Sequence, residues 1–221
     1  MRPLFSLCHA TARLPDGSAA VHRAWIEAAK HPECVEYILA IDAADAHKDL
    51  HAFHVPVKVV VNIHHRTAVD AWNAAGAVAS GLFLITVADD FFPIPEWDEA
   101  ILRRMPDLSQ PAVLHVGELE GDDALLYHSF LTQTYYKRLG CLFWPEYDGM
   151  YADNEFTDKA YRDGVVIDAR DLKFNHRHPA YGTRAQDALG ERHQAKWAYD
   201  LGREVYERRK AQGFPGYPVR G

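Results

Sequence analysis

The chain has 221 residues, 48% of them hydrophobic, enough for one large domain with a substantial core. Its formal charge of −7 argues against a nucleic-acid phosphate backbone as partner, so an anionic ligand would have to be met by local Arg, Lys or metal. Three scattered cysteines, Cys8, Cys34 and Cys141, argue against a disulfide framework and fit a reducing, cytoplasmic setting.

Residues 3–8 read as a first strand, followed by a loop over 9–17 that contains Pro15 and Gly17. Ser18 is expected to cap a helix whose apolar face holds Val21, Trp25, Ala28 and Ala29. Residues 35–41 form a strand ending in Asp42, and 57–61 a strand ending in Asn62. Thr67 and Asp70 resemble a capping box that opens a helix through about residue 79. The stretch 71–88 is uncharged and approaches membrane-spanning length, but Asn73, Ser80, Thr86 and two closing aspartates make it a helix followed by a buried strand. The apolar part of residues 1–12 is too short and broken for a signal peptide.

Each strand so far is a continuous apolar run, the pattern of parallel strands covered on both faces. Beyond them, 96–104 reads as a helix, 112–116 as a strand, 135–139 as a helix stopped by Gly140, 153–163 as a helix and 165–168 as a strand. Leu189, His193, Trp197, Leu201 and Val205 recur every four residues and form one helical stripe, packed on the main domain or used in a homodimer. The Pro- and Gly-rich residues 213–221 read as a mobile tail. The whole is one α/β domain with a C-terminal helical tail.

Asp89 and Asp90 are the most informative residues. They end the apolar strand 82–88, where like charges repel and burial penalises both. A divalent cation and a polyhydroxylated ligand over them would account for the pair, since open α/β sheets bind ligands outside the carboxyl ends of their strands.

Six segments in order resemble a GT-A nucleotide-sugar glycosyltransferase of the family 2 kind. Residues 5–13 resemble the first strand and nucleotide loop, and Ile38 to Asp42 the second strand, whose aspartate faces the base. Ala71-Trp72-Asn73 resembles the Ala-x-Asn helix, and Ala88-Asp89-Asp90-Phe91 stands where the family has Asp-x-Asp. Asp153-Asn154-Glu155-Phe156 resembles the acidic acceptor-side motif, and His176-Arg177-His178-Pro179 the late histidine segment. The sequence departs from the family with Ala88 at the first Asp of Asp-x-Asp, Ala152 where Glu is common, and Ala43 where a second Asp is common.

The resemblance implies a Rossmann-like nucleotide-binding sheet with helices on both faces over residues 1–182, then a C-terminal helix and tail over 183–221. It implies a UDP-sugar or related nucleotide-diphosphate donor, a glycan or other hydroxyl acceptor, and Mn²⁺ or Mg²⁺ as cofactor. His9, Thr11, Arg13, Asp42, Asn73 and Asp89 become nucleotide-binding candidates. Asp90 is the first choice of metal ligand, with His176 or His178 completing the shell; two residues apart, these histidines point the same way on an extended segment. Asp153 is the candidate base for the acceptor hydroxyl, with Glu155 in reserve. Trp144, Tyr147 and Tyr151 are candidates for packing against a sugar.

Three other readings are weaker. A nucleotidyltransferase would show a Gly-rich phosphate loop, whereas the loop after the first strand has Gly17 alone. A zinc hydrolase built on His176 and His178 lacks further ligands at recognisable spacing. A non-catalytic nucleotide- or sugar-binding protein on the same scaffold would bind without turnover.

Overall fold

The computed structural model describes residues 2–12, 14, 16–45, 53, 57–62, 67–121, 123–177, 182, 191 and 195–217. β1 (Phe5–Ala10) is the centre of a parallel half-sheet. It pairs with β2 (Val35–Asp42) on one side and β4 (Phe83–Ala88) on the other, and β2 continues to β3 (Lys58–Asn62). β7 (Phe130–Thr132) then runs antiparallel between β4 and β6 (Val113–Glu118). β8 (Val166–His176) is parallel to β6, and the two-residue β5 (Phe91–Phe92) closes on the end of β8. The order is β3-β2-β1-β4-β7-β6-β8-β5.

β1, β2 and β4 are mostly apolar because both of their faces are covered. In β1, β2 and β4, alternate residues enter opposite cores, as the period of two requires. Phe5, Leu7, Tyr37, Leu39, Phe83 and Ile85 pack with α1 (Asp16–Glu27) and α3 (Trp97–Arg104). Cys8, Ala10, Ile38, Ala40 and Leu84 pack with α2 (Ala68–Val78), α4 (Gln133–Leu139), α5 (Ala152–Arg162) and α6 (Lys196–Ala211). On the first face, the Trp97 indole donates to the Trp25 carbonyl and the Trp25 indole to the Phe91 carbonyl, each at 2.9 Å.

Local signals account for the element ends. Thr67 caps α2 by accepting from the Asp70 N–H, and Thr132 caps α4 in the same way through Tyr135. Gly140, at φ 76°, ends α4 in the left-handed conformation. α1 begins earlier than expected: Asp16 opens it and Ser18 is fully buried inside. β3 is an edge strand, and Val59 and Val61 are exposed rather than covered on both faces.

β8 is longer than the expected 165–168 because it contains a bulge. Val116 pairs with Ala169, but the next residue, Gly117, pairs with Lys173. Three residues thus leave the ladder, and a Cβ on Gly117 would sit 2.3 Å from the Arg170 carbonyl oxygen. Ala169 and Phe174 are an odd number of residues apart, yet both enter the same apolar core.

The C-terminal helix packs through a face that shares Val205, but not Trp197 or Leu201, with the expected stripe. Trp197 and Leu201 are 54% and 41% exposed, whereas Gly202, Val205, Tyr206 and Arg209 are buried. Leu189 and His193 lie outside the described residues. Residues 213–217 are anchored instead of loose: Phe214 is 3% exposed and shares the core of Ile38 and Leu84.

Candidate active site

The site forms where β4 stops. The chain turns at Asp89-Asp90, and β5 then sets Phe91 opposite His176 of β8. The Asp90 carbonyl accepts the Arg177 N–H at 2.8 Å, which locks the two segments together. Residues 82–88 and 173–176, far apart in sequence, therefore deliver their polar ends to one place.

Asp89 points inward. Its Oδ1 accepts from His9 Nε2 at 3.0 Å and from the Thr11 hydroxyl at 2.7 Å, and its Oδ2 accepts from the Ala12 N–H at 3.2 Å. With Nε2 donating, His9 Nδ1 accepts from the Tyr37 hydroxyl at 2.6 Å. Burial pushes the Asp89 carboxyl up, but the three donors outweigh it and hold the group below the usual carboxylate range. The same burial, with Asp89 nearby, pushes the Tyr37 phenol well up. Asp89, His9 and Thr11 thus tie the ends of β1 and β4 together. Asp42 ends β2 beside them and is half-buried.

Asp90 Oδ1 lies 3.7 Å from His176 Nε2. That is too long for a hydrogen bond, but one ion with bonds of about 2.1 Å to each atom can span it. His176 Nδ1 is 2.8 Å from Glu118 Oε1. Glu118, His128 and His176 each offer one ligand atom, all within 4.8 Å of one another. His128 stacks on Phe91 at 3.7 Å and, with Glu118, lines a cavity of about 10 Å³, the size of one water or ion. A mixed set of carboxylate and imidazole donors fits a divalent ion of the Mn²⁺ type better than Mg²⁺. Arg13 and His178 lie outside the described residues.

Asp153 occupies the first turn of α5, one residue beyond its start, and the cap position belongs to Tyr151. Loss of solvation pushes its carboxyl up to about 6, and the Glu118 charge adds to the rise. Its Oδ1 accepts the Asn154 N–H at 2.9 Å.

Five other expected site residues make contacts within the framework. Asn73 clamps a loop: its Oδ1 accepts the N–H groups of Leu142 and Phe143, and its amide donates to the Phe143 carbonyl at 2.8 Å. Glu155 is fully buried and accepts from Arg209, Tyr147 and Tyr217, which leaves no open face for an acceptor. Tyr147 is 1% exposed and so has no surface to offer a sugar. Trp144 lies beneath the Arg209 guanidinium, 3.8 Å from ring centre to Cζ, and against Tyr217. Tyr151 is half-buried, and its hydroxyl accepts from Arg203 Nε at 3.2 Å.

The sequence reading missed Glu118 and His128. Glu118 carries the signal that singled out Asp42 and Asp89, an acid at the end of a strand. His128 precedes β7, a strand of three residues too short to show in the pattern.

No protein-family profile matches the chain, and no curated protein matches it. Solved structures do. TarS of S. aureus superposes with a TM-score of 0.61 at 14% identity, over 98% of this chain and 44% of TarS. Glucosyl-3-phosphoglycerate synthase from Mycobacterium tuberculosis, in complex with Mn²⁺, UDP and phosphoglyceric acid, gives 0.61 at 13% identity, over 100% of this chain and 81% of that enzyme. The chain has the GT-A fold. A third GT-A structure, the mannosyltransferase PcManGT from Pyrobaculum calidifontis with GDP-Man and Mn²⁺, gives 0.54 at 13% identity, over 99% of this chain and 77% of that one. The chain spans less than half of full-length TarS, and at these identities the likeness establishes the GT-A fold alone. No described helix is long and apolar enough to cross a membrane.

Proposed function

We propose that the chain is a metal-dependent glycosyltransferase, moving a sugar from a nucleoside-diphosphate donor to an acceptor hydroxyl with inversion at the anomeric carbon. The observation that carries this reading is the facing of Asp90 and His176 at the carboxyl end of β4, 3.7 Å apart. The fold is that of glycosyltransferases solved with UDP, UDP-GlcNAc, GDP-Man and Mn²⁺. On that basis a UDP-sugar is the favoured donor and Mn²⁺ the favoured ion.

Asp90 and His176 hold the ion, and Asp42 meets the base or ribose. A bound divalent ion supplies Lewis-acid stabilisation of the charge that grows on the departing diphosphate. Asp153 takes the proton of the acceptor hydroxyl as that oxygen attacks the anomeric carbon from the face opposite the leaving group. The sugar–phosphate bond breaks in the same step, so no covalent sugar–enzyme intermediate forms. A carboxyl raised to about 6 suits this work: it is ionised at neutral pH and is a stronger base than an ordinary aspartate.

Residues 1–182 are assigned as the transferase unit and 183–221 as its C-terminal helix and tail. The acceptor is a glycan or another hydroxyl compound, met in the cytoplasm.

Calorimetry with uridine diphosphate, with Mn²⁺ and then with excess chelator, tests the reading. Binding that needs the metal and disappears in Asp90→Asn supports it. Metal-independent binding, or equal binding by Asp90→Asn, removes Asp90 from the site. A transfer product of retained configuration would exclude the single-displacement mechanism.

A further inference from the structure

We infer that Glu118 is a positioning residue that fixes the tautomer and orientation of His176, so that Nε2 presents its lone pair to the ion held with Asp90. This rests on the metal reading above and extends it to a carboxylate that neither the motifs nor the fold assigns.

An ionised carboxylate can only accept, so the 2.8 Å contact between Glu118 Oε1 and His176 Nδ1 places the ring proton on Nδ1. In the neutral imidazole Nε2 is then an acceptor. It faces Asp90 Oδ1, also an acceptor, across 3.7 Å. Two acceptors turned toward each other at this separation form a pair that a cation can bind. The Glu118 contact thus creates the half of the site that Asp90 completes.

Glu118 is well placed to impose this geometry. It is 4% exposed, and its N–H donates to Asp123 Oδ1 at 2.8 Å. Asp123 is held in turn by Lys173, the residue paired with Gly117 beside the β8 bulge. The His176 ring is braced from the side by His128, 5.1 Å away and edge-on, and by Phe91 at 5.9 Å. A histidine ligand whose second nitrogen donates to a carboxylate is both oriented and made more basic, and loss of such a partner costs about 10–100-fold in metal affinity.

The test compares the parent with Glu118→Leu and Glu118→Gln. Nitrogen-15 imidazole NMR on the metal-free chain at pH 8 reads the His176 tautomer. Mn²⁺ titration followed by electron paramagnetic resonance reads affinity without nucleotide or turnover. The parent is expected to hold the Nδ1–H form. Glu118→Leu is expected to mix the tautomers and weaken Mn²⁺ binding by about 10–100-fold. Glu118→Gln, whose amide oxygen can still accept from Nδ1–H, is expected to keep the tautomer and most of the affinity, which a loss of folding would not do. An Nε2–H form in the parent, or a Glu118→Leu variant with parental tautomer and affinity, overturns the inference and leaves the Asp90 reading standing. A parent that binds no Mn²⁺, or an Asp90→Asn variant that binds it equally well, overturns the metal reading and the inference with it.

Discussion

Arg209 and Glu155 join α6 to α5 through two parallel bonds, Nε to Oε2 and Nη2 to Oε1, each at 2.7 Å. Their side chains are 3% and 1% exposed. Tyr147 and Tyr217 donate to the same carboxylate, so the buried charge is fully served. Arg209→Leu leaves it without its cation and should cost about 3–5 kcal/mol in urea denaturation at neutral pH. The double variant Arg209→Leu, Glu155→Leu should lose less than Arg209→Leu alone. An equal or larger loss would show that the pair contributes through packing instead of charge.

Gly202→Ala separates helix propensity from docking. Alanine favours an isolated helix over glycine by about 1 kcal/mol. Here a Cβ would stand 2.4 Å from the Met150 carbonyl oxygen, a backbone atom that cannot swing aside. The variant should melt earlier than the parent despite its better propensity. A rise in melting temperature would contradict the close approach of α6 to residue 150.

Asp153→Asn should abolish transfer while keeping metal-dependent binding of uridine diphosphate. In the parent, kcat/KM should climb as pH rises through about 6, as the carboxyl ionises. The same shift bears on stability. An unfolded aspartate titrates near 3.9, so between about 4 and 6 the folded chain binds the proton more tightly, and stability falls as pH rises across that window. Asn does not titrate. The variant should therefore gain about 1–2 kcal/mol over the parent at pH 7.5 and none at pH 4, part of what a two-unit shift is worth. Parental transfer rates in Asp153→Asn would remove it as the base.

Asp89→Asn carries the opposite sign. The Asp89 carboxyl is held low, so its stabilising effect is full above the unfolded value near 3.9 and fades as pH falls through the lower folded value. The variant should be less stable at pH 7 by about 1.5–3 kcal/mol, the worth of a charged hydrogen bond. That deficit should shrink as urea midpoints are followed down to pH 3. A deficit that does not change with pH would mean that the His9 and Thr11 bonds do not depend on the charge.

Much of the parallel half was legible because burial on both faces leaves unbroken apolar runs, as in 38–41 and 83–88. β7 was not, because three residues carry no period. The second half of β8 was hidden by Arg170 and Asp171, which sit in the exposed bulge and look like the end of a strand. The α6 stripe held only at Val205 for a physical reason: the buried face also uses a glycine that permits close approach and an arginine neutralised by Glu155, and hydrophobic periodicity registers neither. At the site, Asp90 and His176 stood out in the sequence, and the fold sets them 3.7 Å apart. Asn73, Glu155 and Tyr147 were also conspicuous, but their polar atoms are consumed by loop 142–143 and by the α5–α6 junction, which only the tertiary contacts reveal.

The bulge at residues 170–172 makes chain length itself a constraint. An exposed excursion of this kind would ordinarily tolerate insertion or deletion. Here the count matters: side chains alternate along the strand, so removing one residue while the first half of β8 keeps its register would turn Phe174 out of the core and His176 away from Asp90. Removing two would preserve the alternation but slide the histidine along the sheet by about 7 Å. Substitutions at the exposed Arg170 and Asp171 should be nearly silent, while single-residue indels in this bulge should be as damaging as replacing His176 itself.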